Sequence, residues 1–243
     1  MRRALSAIVF DFDGVIADSE RLHLLAYQRV LAPRGLELST EAYYSTYLGY
    51  DDVGVFRRYA RDRDLPWDDD AIRTLCLEKG TVFEELASRG EMLFDGAADF
   101  IRAAHAAVPT AIASGALTHE IEEVLVHAGL RDRFLTIVGA DQCARSKPSP
   151  DPYLEAVHRL RAAGHDVDPS RTVAIEDSVW GLVSARTAGL RTVAVANTYT
   201  SAELTTHAEL VVAGLHALTL DDLDRLCASA PVHPDLARRG QRQ

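Results

Sequence analysis

Along the chain, short runs in which every position is apolar alternate with longer stretches in which apolar residues recur every three or four positions. The first such run covers residues 7–10 and stops abruptly in Asp11-Phe12-Asp13-Gly14. It is too short for a helix and has no polar face, which is the pattern of a parallel strand buried on both sides. Four further β-branched runs follow residue 100, at 109–113, 134–138, 172–175 and 192–196, each leading into a helical pattern. One helix opens at Thr118, with Ile121, Val124, Leu125 and Ala128 on its apolar face and Gly129 as its stop. The next covers 150–163, and a third covers 179–188 and ends at Gly189. Strands alternating with helices predict parallel βαβ units, and so the α/β class with a doubly wound parallel sheet.

Residues 19–91 break this rhythm. They contain no strand-like run, and apolar residues recur with helical spacing at Leu22, Leu25, Ala26 and Val30, then at Ile72, Leu75, Val82, Phe83 and Leu86. Gly35 and Pro66 mark turns between these helices. An all-helical block inserted after the first strand of an α/β domain reads as a second domain, a lid. Past Cys227 the chain turns Pro-, Arg- and Gln-rich, the composition of a loosely held tail.

Composition narrows the choice of partner. The 243 residues are 47% hydrophobic and 26% charged, enough for a sizeable core. With 36 acids against 26 bases the net charge is -10, and no basic stripe with interleaved aromatics is present, which argues against nucleic acid. No apolar run approaches the ~20 residues of a membrane span, and the apolar stretch after Arg2-Arg3 is cut by Asp11 before any cleavage site. Cys76, Cys143 and Cys227 are widely spaced and odd in number, matching neither a disulfide framework nor a metal-ligand pair; a reducing cytoplasm is the expected location.

Strand ends are where open α/β sheets hold their ligands. Here the first strand ends in Asp11 and Asp13 and the second in Ser114-Gly115; Lys147-Pro148 precedes the 150–163 helix, and the fourth strand ends in Glu176-Asp177. Each has an ordinary reading as well: a helix cap, a solvated turn, or an acidic helix start that complements the helix dipole. The Asp-x-Asp taken alone fits either a cap or a catalytic pair, because two close carboxylates need a cation, a proton or separate roles. Four acids around one lysine are hard to bury without a divalent ion, and oxygen-only ligands point to a hard one such as Mg²⁺.

Taken together, four segments resemble the motifs of the haloacid dehalogenase (HAD) superfamily, in the branch with a helical cap after the first motif. They are Asp11-Phe12-Asp13-Gly14-Val15, Ala113-Ser114-Gly115, Ser146-Lys147-Pro148 and Ile175-Glu176-Asp177-Ser178, in the order the family uses. The resemblance extends over residues 5–225. It implies a Rossmann-like catalytic core from 1–18 and 92–227, an inserted helical cap at 19–91, and a tail at 228–243. It implies further that Asp11 is the nucleophile that becomes an aspartyl-phosphate and Asp13 the general acid/base. Ser114 and the Gly115 N–H would hold phosphoryl oxygens, Lys147 would neutralise nucleophile and phosphate, and Asp11, the Asp13 carbonyl, Glu176 and Asp177 would bind Mg²⁺. Such a protein would act on a small phosphorylated metabolite, with neither nucleic acid nor membrane as partner, as a monomer or weak dimer.

The resemblance also bears on the reaction. Asp13 is present, whereas dehalogenases of the superfamily lack an acid there and phosphonate-cleaving members also depart from it. Ser19 and His23 occupy positions that enzymes similar to β-phosphoglucomutase fill with Thr or Ser and His, and Lys79 falls where they carry a cap lysine. Gly49 lies in the cap's Leu48-Gly49-Tyr50-Asp51 segment, and Asp52 follows it where the mutase has an arginine for a second phosphate. Asp in place of Arg removes a bidentate phosphate ligand and adds repulsion. The expected activity is therefore a Mg²⁺-dependent phosphatase acting on a sugar phosphate or phosphoglycolate-like compound. A phosphosugar mutase and a non-catalytic binding module are the alternatives.

Overall fold

A computed structural model describes residues 3–48, 50–88 and 92–230. Its contacts divide the chain into two compact units, one of Met1–Asp18 with Leu93–Gln243 and the other of Ser19–Met92.

In the first unit the described residues form a six-stranded parallel sheet: β1 (Ala7–Phe10), β2 (Thr110–Ala113), β3 (Thr136–Val138), β4 (Thr172–Glu176), β5 (Arg191–Val195) and β6 (Leu210–Val212), in the order β3-β2-β1-β4-β5-β6. The chain builds outward from β1 to β3, then returns to place β4 on the other side of β1. The strand order thus reverses beside β1, and a crevice at the carboxyl ends of such strands is where this architecture takes its ligands.

Alternation along the strands assigns each side chain to one of two cores. Ile8, Phe10, Ile112, Val173, Ile175 and Val193 pack in a bulky layer with Phe100, Ile101, Ile121, Leu125 and Leu223. Those partners come from α5 (Ala97–Ala107), α6 (Thr118–His127) and α10 (Leu220–Ala228). On the opposite face Ala7, Val9, Ala111, Ala113 and Ala174 meet Tyr153, Ala156, Val157, Leu160 and Ala185, carried by α7 (Asp151–Ala162) and α8 (Val179–Thr187). Small residues on this face of the sheet leave room for the Tyr153 ring.

The second unit packs α1 (Ser19–Leu31), the short α2 (Thr40–Ala42), α3 (Asp52–Asp62) and α4 (Asp69–Ser88) around Leu24, Tyr27, Val30, Tyr43, Tyr47, Phe56, Tyr59, Ile72 and Leu75. A π-helical stretch, Tyr43–Tyr47, follows α2. Back in the first unit, α9 (Ser201–Leu204) opens on a capping box between Thr200 and Glu203.

The sequence pattern anticipates β1 to β5, but not β6, α5 or α10. β6 is a three-residue edge strand, half-buried throughout, and so lacks the continuous apolar run that marks the central strands. α10 extends through Ala228, and the Ser229 carbonyl accepts from Arg191 at 3.0 Å, so order persists past the point where the composition changes. Among the described residues no helix is long and apolar enough to cross a membrane.

Candidate active site

β1 carries its ladder one residue beyond its end: the Asp11 N–H donates to the Ile175 carbonyl at 2.9 Å. The chain then turns at once. The Phe12 carbonyl accepts from the N–H groups of Ile16 (2.8 Å) and Ala17 (3.0 Å), and Gly14 takes φ +76°. A side chain there would meet the Asp177 carboxylate, so glycine serves both the turn and the approach of the two acids. The amide of Asn197 fixes the loop by donating to the Gly14 carbonyl at 2.8 Å. Asp13 stands half-buried in this turn, paired through a β-bridge with Ala17.

β4 and the Lys147 loop bring the other charges to Asp11. One carboxylate oxygen each of Asp11, Glu176 and Asp177 lie within 4.8 Å of one another, and all three residues are buried. Lys147 Nζ lies 2.9 Å from Asp11 Oδ1 and 2.5 Å from Glu176 Oε1. Burial, reinforced by the charge of Glu176, raises the Asp11 carboxyl well above its ordinary range even with Lys147 beside it. Burial and Glu176 likewise push Asp177 up to about 6. Burial works against charge on Glu176 too, but the Lys147 charge and hydrogen bonds from Lys147, Tyr153 and Ser178 outweigh it and hold this carboxyl low. Lys147 is raised by Asp11 and Glu176 against the opposing effect of burial. One cation facing three buried acids leaves excess negative charge and only oxygen donors, a set that fits a hard divalent ion.

Ser114 continues β2 as Asp11 continues β1, its N–H donating to the Val138 carbonyl at 3.0 Å. Its buried hydroxyl accepts from the Ala116 N–H at 3.1 Å, which leaves the hydroxyl proton for another acceptor. Gly115 beside it is exposed. Sequence reasoning missed Tyr153 and Ser178. Tyr153 gives the pattern of a core aromatic, yet its hydroxyl donates to Glu176 Oε1 at 2.8 Å. Ser178, the last residue of the fourth motif but given no role there, caps α8 and donates to Glu176 Oε2 at 2.9 Å.

The helical unit has a polar cluster of its own. Lys79, on α4 and 2% exposed, lies 2.8 Å from Asp52 Oδ1 and 2.6 Å from His23 Nδ1. The Tyr27 hydroxyl donates to the same Asp52 oxygen at 2.6 Å, and Phe83 stacks on the His23 ring with centroids 4.4 Å apart. Burial, and then the neighbouring Lys79 charge, push His23 down to about 4, so at neutral pH it is uncharged and accepts the lysine proton. Three of the residues assigned to the cap from sequence, His23, Asp52 and Lys79, therefore bond to one another. Ser19 is the first residue of α1, one turn before His23, and Gly49 lies outside the described residues. Arg57 and Arg58 pair on the surface with Asp69 (2.9 Å) and Asp62 (2.8 Å).

A family model described as haloacid dehalogenase-like hydrolase matches residues 8–195. Protein CbbY of Rhodobacter capsulatus is 32% identical over 205 residues, which are 81% of this chain and 87% of that protein. The fructose-1-phosphate phosphatase YqaB of Escherichia coli (strain K12) is 28% identical over 80% of this chain and 98% of its own length. A crystal structure of a CbbY variant from Rhodobacter sphaeroides in complex with xylulose-(1,5)bisphosphate superimposes with a TM-score of 0.63 at 31% identity, covering 90% of this chain and 99% of that one.

Proposed function

The chain belongs to the haloacid dehalogenase-like hydrolase family, and from that premise we propose that it is a Mg²⁺-dependent phosphatase that hydrolyses a small sugar phosphate through a phosphorylated Asp11. The observation that carries this reading is the Asp11 carboxylate at the carboxyl end of the central strand, 2.9 Å from Lys147 and buried among two further acids. A carboxylate attacking a phosphate dianion must overcome like-charge repulsion, and cations fixed beside both groups offset it. Lys147 supplies one such charge. Asp11 and Asp177, in the cluster that Glu176 completes, together with Asp13, would hold Mg²⁺, which when bound supplies Lewis-acid stabilisation of the phosphoryl oxygens.

Asp13 is the proton carrier in this scheme. It gives its proton to the departing sugar oxygen as Asp11 forms the acyl phosphate, then takes one from the water that hydrolyses it, so one group serves both half-reactions. Ser114 and the Gly115 N–H donate to the non-bridging oxygens. Similarity to a fructose-1-phosphate phosphatase and to a CbbY variant in complex with a sugar bisphosphate supports a phosphorylated sugar among small metabolites. Asp52 supports hydrolysis over phosphosugar mutation, because it is engaged with Lys79 and Tyr27 where the mutase pattern places an anion-binding arginine.

Turnover of p-nitrophenyl phosphate with Mg²⁺ tests the reading. Asp11→Asn is expected to remove it by at least about 10³-fold, since a carboxamide cannot form the acyl phosphate. Unchanged turnover in that variant overturns the proposal. With β-glucose 1-phosphate and a trace of its bisphosphate, free phosphate should appear faster than glucose 6-phosphate; the reverse order makes the protein a mutase.

A further inference from the structure

The Glu176 carboxylate is wholly buried and its oxygens already accept five hydrogen bonds. Oε1 takes Lys147 Nζ at 2.5 Å and the Tyr153 hydroxyl at 2.8 Å. Oε2 takes the Asp177 N–H at 3.1 Å, the Ser178 N–H at 3.2 Å and the Ser178 hydroxyl at 2.9 Å. An ionised carboxylate offers about four lone-pair sites, so these donors exhaust it. The Asp11 side chain, by contrast, meets the Phe12 N–H at 2.8 Å and Lys147 at 2.9 Å, both on Oδ1.

The Tyr153 ring packs in the core, and its hydroxyl is placed for this contact. It stands on α7 among Ala156, Val157 and Leu160, fully buried, with its hydroxyl on Glu176 and its ring centroid 5.2 Å from Lys147 Nζ. A phenylalanine would fill the same space, so the hydroxyl serves the carboxylate and not the packing. Gly181 closes the other side, where any side chain would fall on the Glu176 carboxylate.

We propose that Glu176 lies outside the coordination sphere of the Mg²⁺ and acts as the counter-charge that fixes Lys147 against Asp11, with Tyr153 as the positioning residue that holds Glu176 in that role. The inference rests on the phosphatase reading and reassigns one acid within it. The metal is then held by Asp11 and Asp177 with the Asp13 backbone, and Glu176 and Tyr153 affect the chemical step through Lys147.

Calorimetric titration of the full chain with Mg²⁺, alongside kcat and KM for p-nitrophenyl phosphate, tests it. Glu176→Gln should lose no more than about tenfold in Mg²⁺ affinity, the low end for a partner outside the coordination sphere, while Asp177→Asn loses well over about a hundredfold. Tyr153→Phe should lower kcat about tenfold, the worth of one hydrogen bond to a charged group, with KM and Mg²⁺ affinity unchanged. A purely structural tyrosine would lower Tm and leave kcat unchanged.

Loss of Mg²⁺ affinity in Glu176→Gln equal to that in Asp177→Asn overturns the proposal, as does a Tyr153→Phe kcat within about twofold of wild type. If Glu176→Gln does not fold, the Tyr153→Phe result decides alone. A wild-type protein that neither binds Mg²⁺ nor turns over would instead refute the phosphatase reading, so the two failures are distinct.

Discussion

Asp11 and Glu176 touch the same lysine, at 2.9 and 2.5 Å, yet their environments drive them in opposite directions. Glu176 receives Lys147, Tyr153 and Ser178 and holds its charge, whereas burial and the charge of Glu176 raise Asp11. Such a divergence between neighbouring acids separates a fixed counter-charge from a group that awaits a cation. The helical unit shows the converse at Lys79, whose buried position is satisfied by Asp52 and His23. Asp52 is held low because hydrogen bonds from Lys79 and Tyr27 and the Lys79 charge outweigh its partial burial. Its contribution is therefore present above the unfolded carboxylate range near pH 4 and is lost as pH falls through its lower folded value. Asp52→Asn is expected to cost about 1–3 kcal/mol at pH 7 in urea unfolding, and less at pH 3. Equal stability of variant and wild type at pH 7 would show that Lys79 finds its partner elsewhere.

At the scale of elements, the junction of β4 and α8 joins fold and site in one structure. Ser178 caps α8 by accepting from the Gly181 N–H at 3.1 Å, and the same hydroxyl donates to Glu176. The helix start thus orients the acid that holds Lys147. Gly181→Ala places a methyl group on that carboxylate, and the helix or the acid must move. The expected result is a loss of about 1–3 kcal/mol in stability, as for overpacking elsewhere, with kcat down at least about tenfold. A fully active alanine variant in steady-state kinetics would refute the close approach. This junction was only half legible in sequence. The motif residues stand in line at the end of an apolar run, but nothing in a helical pattern tells a core tyrosine from Tyr153, whose hydroxyl crosses from α7 to β4.

For the whole molecule, the acidic crowding at the sheet's carboxyl end sets how stability depends on pH and metal. Asp177 titrates near 6 in the folded chain because burial and Glu176 disfavour its charge, and its unfolded value is near 3.8. The folded state binds this proton more tightly, so its contribution is fully present below about pH 4 and is lost as pH rises through about 6, on the order of 3 kcal/mol. A bound divalent ion reverses that loss by favouring the charged form. Mg²⁺ is therefore expected to raise Tm much more at pH 7 than at pH 5, and Asp177→Asn to abolish the difference. Scanning calorimetry with Mg²⁺ or EDTA at the two pH values measures this; equal shifts at both would contradict it. Local chemistry in the sequence by itself determined the class of fold and the four motifs, because apolar runs, helical periodicity and glycine stops are set by neighbours along the chain. The three-residue β6 carries too few positions for a period, so only its pairing with β5 made it a strand. Tyr153 and Lys147 lie 23 and 29 residues from Glu176, and His23 lies 56 from Lys79, so packing alone decided which acid meets which cation.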